Sequence, residues 1–108
     1  MNNKLRIVVL AAGKGTRMDS DFPKVLHKLN NKPLLDYVLD ESELLNPLES
    51  ILIVGFKKDQ VISHTENRAN LKYVTQKEQL GTGHAVLQTE ELLKNEKGHI
   101  LILYGDVP

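Results

Sequence analysis

The chain has 108 residues, room for one small domain, and its 14 basic and 14 acidic side chains balance to a formal net charge of zero. That balance gives no polyelectrolyte pull toward nucleic acid or an anionic membrane, and neither is expected as a partner. There is no cysteine, which excludes disulfides and thiolate metal sites, and no apolar run approaches the roughly 18 residues of a membrane span. The default is a soluble cytoplasmic protein.

The amino-terminal "LRIVVLA" at 5–11 runs straight into glycine and charge, so it reads as a first β-strand rather than a signal peptide. The helical stripe of Leu34, Leu35, Val38, Leu39 and Leu45 predicts a helix over 33–45, with Pro33 suited to its first turn. "SILIVGF" at 50–56 predicts a second strand, 57–67 a shorter helix, and "LKYVT" at 71–75 a third strand. Ala85, Val86, Leu92 and Leu93 share one face of a helix over 82–94, and "HILILY" at 99–104 is a fourth strand. The first, second and fourth strands are nearly all apolar, the composition of strands covered on both faces. The order β-α-β-α-β-α-β predicts an α/β fold of Rossmann-like, doubly wound type with a mostly parallel sheet. Ligands of such sheets bind beyond the carboxyl ends of the strands, which directs attention to residues 11–18, 55–58, 76–82 and 104–108. Because 108 residues end just after a buried-looking strand, the chain is expected to be the amino-terminal, nucleotide-binding portion of a larger domain.

Four stretches carry chemistry. In "LAAGKGTRM" Gly13 and Gly15 expose amide groups after a strand, with Lys14, Thr16 and Arg17 close by. Such a turn can form an anion-binding concavity, or it can be an ordinary strand-to-helix connection with solvated charges. Its spacing fits neither a P-loop nor a dinucleotide fingerprint, whose third glycine position is Met18. In "DFPKVLHKL" Pro23 stiffens the approach to Lys24, which is either a placed point charge or a surface lysine; His27 reads as a structural or surface group. "VTQKEQLGTGHAV" offers Gln76, Gln79 and glycine amides, a donor and acceptor set that suits a nucleobase edge but equally a loop with Thr82 as helix cap. In "ILILYGDVP" Asp106 is either a turn residue or a carboxylate placed for Mg²⁺, which favours one or two carboxylates plus substrate phosphates. Tyr104 is a candidate core residue.

In this order and spacing, "LAAGKGTRM", "PKVLHKL", "QLGTGHAV" and "YGDVP" resemble the sugar-nucleotide pyrophosphorylase family. Within it they look most like the branch of bacterial bifunctional N-acetylglucosamine-1-phosphate uridylyltransferases/glucosamine-1-phosphate acetyltransferases. The resemblance covers nearly the whole chain and implies the amino-terminal part of a nucleotide-diphospho-sugar transferase domain. It implies that UTP and N-acetylglucosamine 1-phosphate give UDP-N-acetylglucosamine and pyrophosphate, with Mg²⁺ as cofactor. Leu10, Ala11, Ala12 and Gly13 would line the nucleotide, and Arg17 and Lys24 would contact the triphosphate as catalytic cations. Gln76, Gly81 and Thr82 would recognise the uracil end; Tyr104 and Gly105 would border the sugar phosphate, and Asp106 would bind the metal. Where the family has Gly-Lys-Pro this chain has Asn31-Lys32-Pro33, a change that keeps access to left-handed backbone. The acceptor-sugar residues and second metal ligand of the family, and its β-helix acetyltransferase domain, have no counterpart in these 108 residues. The alternatives are a nucleotide-binding but catalytically incomplete fragment, or another sugar-1-phosphate nucleotidyltransferase.

Overall fold

The structure, a computed structural model, describes residues 4–13, 22–76, 87, 89, 93 and 98–107. Its main sheet is built from β1 (Leu5–Ala11), β4 (Glu49–Val54), β5 (Leu71–Thr75) and β6 (His99–Tyr104). All are parallel, in the order β5-β4-β1-β6. From β1 the chain winds outward through β4 to β5, then crosses back to place β6 on the other side of β1. The winding direction therefore reverses between β1 and β6, the place where a ligand crevice opens in such a sheet.

Alternation along the strands fills two cores. Ile7, Val9 and Ala11 pack with Leu52 and Val54 against Leu35, Val38, Leu39 and Val61. Val8 and Ala12, with Ile51 and Ile53, meet Leu93 on the opposite face. Helical residues thus cover both faces of the sheet, the doubly wound arrangement expected from the element order. Ile7, Val8, Val9, Ile51, Leu52, Ile53 and Val54 are all fully buried, and each such side chain contributes about 1.5–3 kcal/mol.

Between β1 and β4 lie a 3₁₀ turn, Lys24–Leu26, then β2 (Lys28–Leu29), β3 (Lys32–Pro33) and α1 (Leu34–Glu43). Strands β2 and β3 form a hairpin closed by Asn30 and Asn31 at φ 53° and 67°. Positive φ at both central residues is what a two-residue hairpin turn requires, and asparagine accepts it. The hairpin was not foreseen from sequence, although the tolerance of Asn31 for left-handed backbone was. Helix α1 buries Leu35, Val38, Leu39 and Ser42, spaced as one face of a helix. It stops earlier than the apolar stripe predicts. Asn46 is left-handed and Pro47 follows, so Leu45 falls outside the helix and is exposed. Helix α2 (Lys58–Thr65) buries Val61 and Thr65; the Thr65 hydroxyl hydrogen-bonds the Tyr73 hydroxyl of β5 at 2.7 Å. Of the third predicted helix, Leu87, Thr89 and Leu93 are helical, with Thr89 and Leu93 buried; Ala85, Val86 and Leu92 lie outside the described residues.

One expectation fails. Strand β6 is not covered on both faces: Ile100, Leu101, Ile102 and Tyr104 are exposed, and only Leu103 joins a core. The composition of β6 matches that of β4, but it stands at the sheet edge, and burial depends on what packs against a strand.

Candidate functional site

The carboxyl ends of β1 and β6 are tied together. Leu10 pairs with Tyr104, and the Gly105 amide donates to the Leu10 carbonyl at 2.9 Å. The next turn of chain, closed by a Val107 amide to Tyr104 carbonyl bond of 3.3 Å, carries Asp106. On the β1 side Phe56, just past β4, donates its amide to the Ala12 carbonyl at 3.1 Å. Leu10, Ala11, Ala12 and Gly13 therefore form a fixed strand end flanked by the ends of both neighbouring strands.

Gly13 and Gly105 on this edge differ. At Gly13 an added Cβ meets nothing within 4 Å among the described residues, and the backbone is not left-handed. Neither packing against the described residues nor a left-handed backbone calls for glycine there. At Gly105 a Cβ would lie 2.9 Å from the Leu10 carbonyl oxygen, 3.1 Å from Val25 Cγ1 and 3.2 Å from Leu35 Cδ1. Gly105 is buried and lets the 3₁₀ turn and α1 close onto the strand ends. The sequence reading gave it a place beside the ligand; the structure shows its side-chain position filled by protein. Tyr104, read as possible core, is exposed.

That closure brings in the cation. Pro23 is fully buried and holds extended geometry, φ −62° and ψ 138°, at the entry to the 3₁₀ turn. Val25 and Leu26 anchor the turn in the core, and Lys24 between them and Pro23 faces outward. Its Nζ lies 3.1 Å from Asp106 Oδ2. Two residues 82 positions apart in sequence, each proposed separately for phosphate and metal, are thus in contact. Sequence reasoning placed both at one edge without foreseeing the pair. His27 stacks beside Phe22, with ring centroids 5.4 Å apart, which fits its structural reading.

Gln76 is buried at the end of β5, where its amide donates to the Val54 carbonyl at 2.7 Å. Neighbouring strands lie about 4.8 Å apart, so β5 stands about 10 Å from β1 and about 15 Å from β6. The edge therefore has an amide-bearing end at Gln76 and a charged end at Lys24 and Asp106. Arg17, Gly81 and Thr82, along with Gly15 and Gln79, lie outside the described residues.

The single carboxylate of Asp106 suits Mg²⁺, which keeps waters and draws further oxygens from phosphates. Among the described residues no group of three His, Cys, Asp or Glu side chains forms an all-protein metal cage. A cleft of about 650 Å³ lies elsewhere, lined by Phe22, Leu26, the hairpin residues Lys28 and Pro33, and Asp59, Gln60, Ser63 and His64 of α2. It contains none of the candidate residues.

The charges away from this edge serve the fold. Arg68 reaches Asp36 at 3.3 Å, Asp40 at 3.0 Å and Glu43 at 2.6 Å, three acids on one face of α1. A hydrogen bond from Lys32, aided by Arg68, holds the Asp40 carboxyl below its usual value. At the amino ends of the strands Glu49 bridges Lys72 and Arg6, each at 2.9 Å, and those hydrogen bonds lower its pKa against the opposing effect of burial.

The fold and the strand-end site define a class of nucleotide-handling α/β domains, and the comparisons agree. Over 94% of its length the chain superposes on HddC from Yersinia pseudotuberculosis, described in complex with GMP-PN, with a TM-score of 0.78 and 26% identity, covering 47% of that chain. The model of the MobA-like NTP transferase domain matches residues 7–108, and the chain belongs to that family. It is 51% identical over 105 residues to the bifunctional protein GlmU of Idiomarina loihiensis, and 50% identical over 106 residues to that of Neisseria meningitidis. These alignments cover 97% and 98% of the chain but 23% of each relative, in its amino-terminal part. The chain thus spans about a quarter of the length of these curated relatives. No helix among the described residues is long and apolar enough to cross a membrane.

Proposed function

We propose that this chain is the nucleotide-binding portion of a sugar-1-phosphate uridylyltransferase that converts UTP and N-acetylglucosamine 1-phosphate to UDP-N-acetylglucosamine and pyrophosphate, in the cytoplasm. The observation that carries the reading is the Lys24–Asp106 contact at the reversal point of the sheet, on the edge where β1 and β5 also end. The identity to GlmU proteins, and the resemblance of this chain's own motifs to the uridylyltransferase branch, support the choice of substrates. The base lies toward Gln76, with Gly81 and Thr82, and the triphosphate runs along Leu10–Gly13 toward Lys24, Asp106 and Arg17. About 10 Å from β5 to β1 fits the separation of a base from its phosphates.

The acceptor phosphate is already an anion, so no general base is needed to make the nucleophile. One of its oxygens attacks the α-phosphorus in line, the α–β phosphoanhydride bond breaks, and pyrophosphate departs with the electron pair. The obstacle is the meeting of two polyanions, so positioning and charge stabilisation do the catalysis. Lys24 and Arg17 neutralise the β- and γ-phosphates. Asp106 would hold Mg²⁺, which would supply Lewis-acid charge neutralisation on the phosphates.

Alignments that cover 23% of each of these relatives support a second reading, that this stretch alone binds nucleotide without turning it over. Calorimetry with UTP and Mg²⁺, beside a pyrophosphate-release assay, separates the cases. Binding with acceptor-dependent release supports the enzyme; binding without release supports the fragment. Absence of both, or preference for another nucleotide in competition, defeats the uridylyltransferase reading.

A further inference from the structure

We propose that Lys24 is the resident counter-ion of Asp106, and that nucleotide and divalent cation exchange it cooperatively. The lysine leaves the carboxylate for the phosphates as the metal takes its place. The proposal rests on the reading of Asp106 as the metal ligand.

The two partners are held very differently. Asp106 follows Gly105, whose amide is bonded to Leu10 and whose Cα is packed against Leu10, Val25 and Leu35, so the carboxylate hangs from fixed backbone. Its side chain is 24% exposed, whereas that of Lys24 is 56% exposed. The lysine backbone is fixed by buried Pro23 and Val25, but its four-carbon stem is free in solvent. Lys24 is therefore the partner that can move.

An ammonium 3.1 Å from Oδ2 and a dication on the same carboxylate repel one another. Without a phosphate the lysine has Asp106 as its anionic partner among the described residues, and the metal must compete with it. With a triphosphate along the strand ends the lysine gains a new anionic partner, and the carboxylate is released to the metal. By linkage, nucleotide then raises metal affinity and metal raises nucleotide affinity by the same factor. Lys24 thus disfavours loading of metal alone, in addition to its contact with phosphate.

Mn²⁺ serves as the probe, titrated by electron paramagnetic resonance into the full 108-residue chain without nucleotide and again with UTP. Without nucleotide, Lys24→Met is expected to bind Mn²⁺ up to about fivefold more tightly than wild type, the range of an exposed ion pair. Lys24→Arg, which keeps the charge, is expected to match wild type. With UTP, the gain in Mn²⁺ affinity is expected to be smaller in Lys24→Met than in wild type. If Lys24→Met binds Mn²⁺ no better than wild type in the absence of nucleotide, the exchange is wrong. If in addition Asp106→Asn retains the protein-bound Mn²⁺ signal with UTP, the metal reading of Asp106 falls too. Loss of that signal in Asp106→Asn leaves the metal reading standing while the exchange alone is rejected.

Discussion

At the amino end of the sheet Glu49 is gripped from both sides, by Arg6 of β1 and Lys72 of β5, each at 2.9 Å. At the carboxyl end Asp106 has, among the described residues, one ammonium, 3.1 Å away on a side chain more than half exposed. The strand ladder fixes where Arg6, Glu49 and Lys72 stand, since Arg6 faces Glu49 directly and Lys72 pairs with Ile51, two residues along. Lys24 and Asp106 share no ladder. They meet because a 3₁₀ turn closes on a buried glycine, and one of them can leave. The first arrangement ties strands together; the second is a charge pair that a ligand can divide.

The largest expected effect tests the exchangeable end. Asp106→Ala and Lys24→Ala are each expected to slow pyrophosphate release by about a hundredfold or more. Thermal unfolding should barely move, because a pair this exposed contributes about 1 kcal/mol at most. A melting point that collapses while the remaining folded protein turns over normally would invert the contrast between the two ends. Gly105→Ala comes next and sharpens it. The new methyl must displace the Leu10 carbonyl or the Val25 side chain, at a cost of about 1–3 kcal/mol read by denaturant unfolding. Because Val25 adjoins Lys24, calorimetric affinity for UTP with Mg²⁺ should fall as well; unchanged affinity would show that the 3₁₀ turn does not set the lysine's position.

The smallest effect belongs to the fixed end. Glu49→Gln is expected to cost about 1 kcal/mol of stability at neutral pH and leave UTP affinity unchanged. The folded-state pKa of Glu49 lies below the ordinary glutamate value, so the folded protein binds the proton less well than the unfolded chain. Its stabilisation is complete above that ordinary value and is lost as pH falls through the folded value. The acid limb of a stability–pH curve should therefore be shallower in Glu49→Gln. Identical acid limbs would mean that the Arg6–Glu49–Lys72 bridge does not act in solution.

Much of this molecule is legible in its residues. The apolar runs at 5–11 and 71–75 match β1 and β5, and 50–56 overshoots β4 by the two residues of a turn. Gly13, Gln76 and Asp106 do stand just past the carboxyl ends of β1, β5 and β6, as the strand bounds read from sequence imply, because parallel strands all point one way. The misses share a cause. Leu45 and the side chains of β6 fit apolar patterns as well as any buried residue, yet they are exposed. The packing demand at Gly105 was not legible, because a glycine that admits a ligand and one that admits a neighbouring side chain are written with the same letter.

By itself, then, the sequence determined which segments become strands and helices, the parallel winding, and the set of residues collected at one edge, because these follow from local periodicity and backbone preference. Only the tertiary structure decided that Lys24 touches Asp106, that the side-chain position of Gly105 is filled by protein, and that most side chains of β6 are exposed. Each of those depends on distances between segments far apart in the chain, which no local pattern encodes.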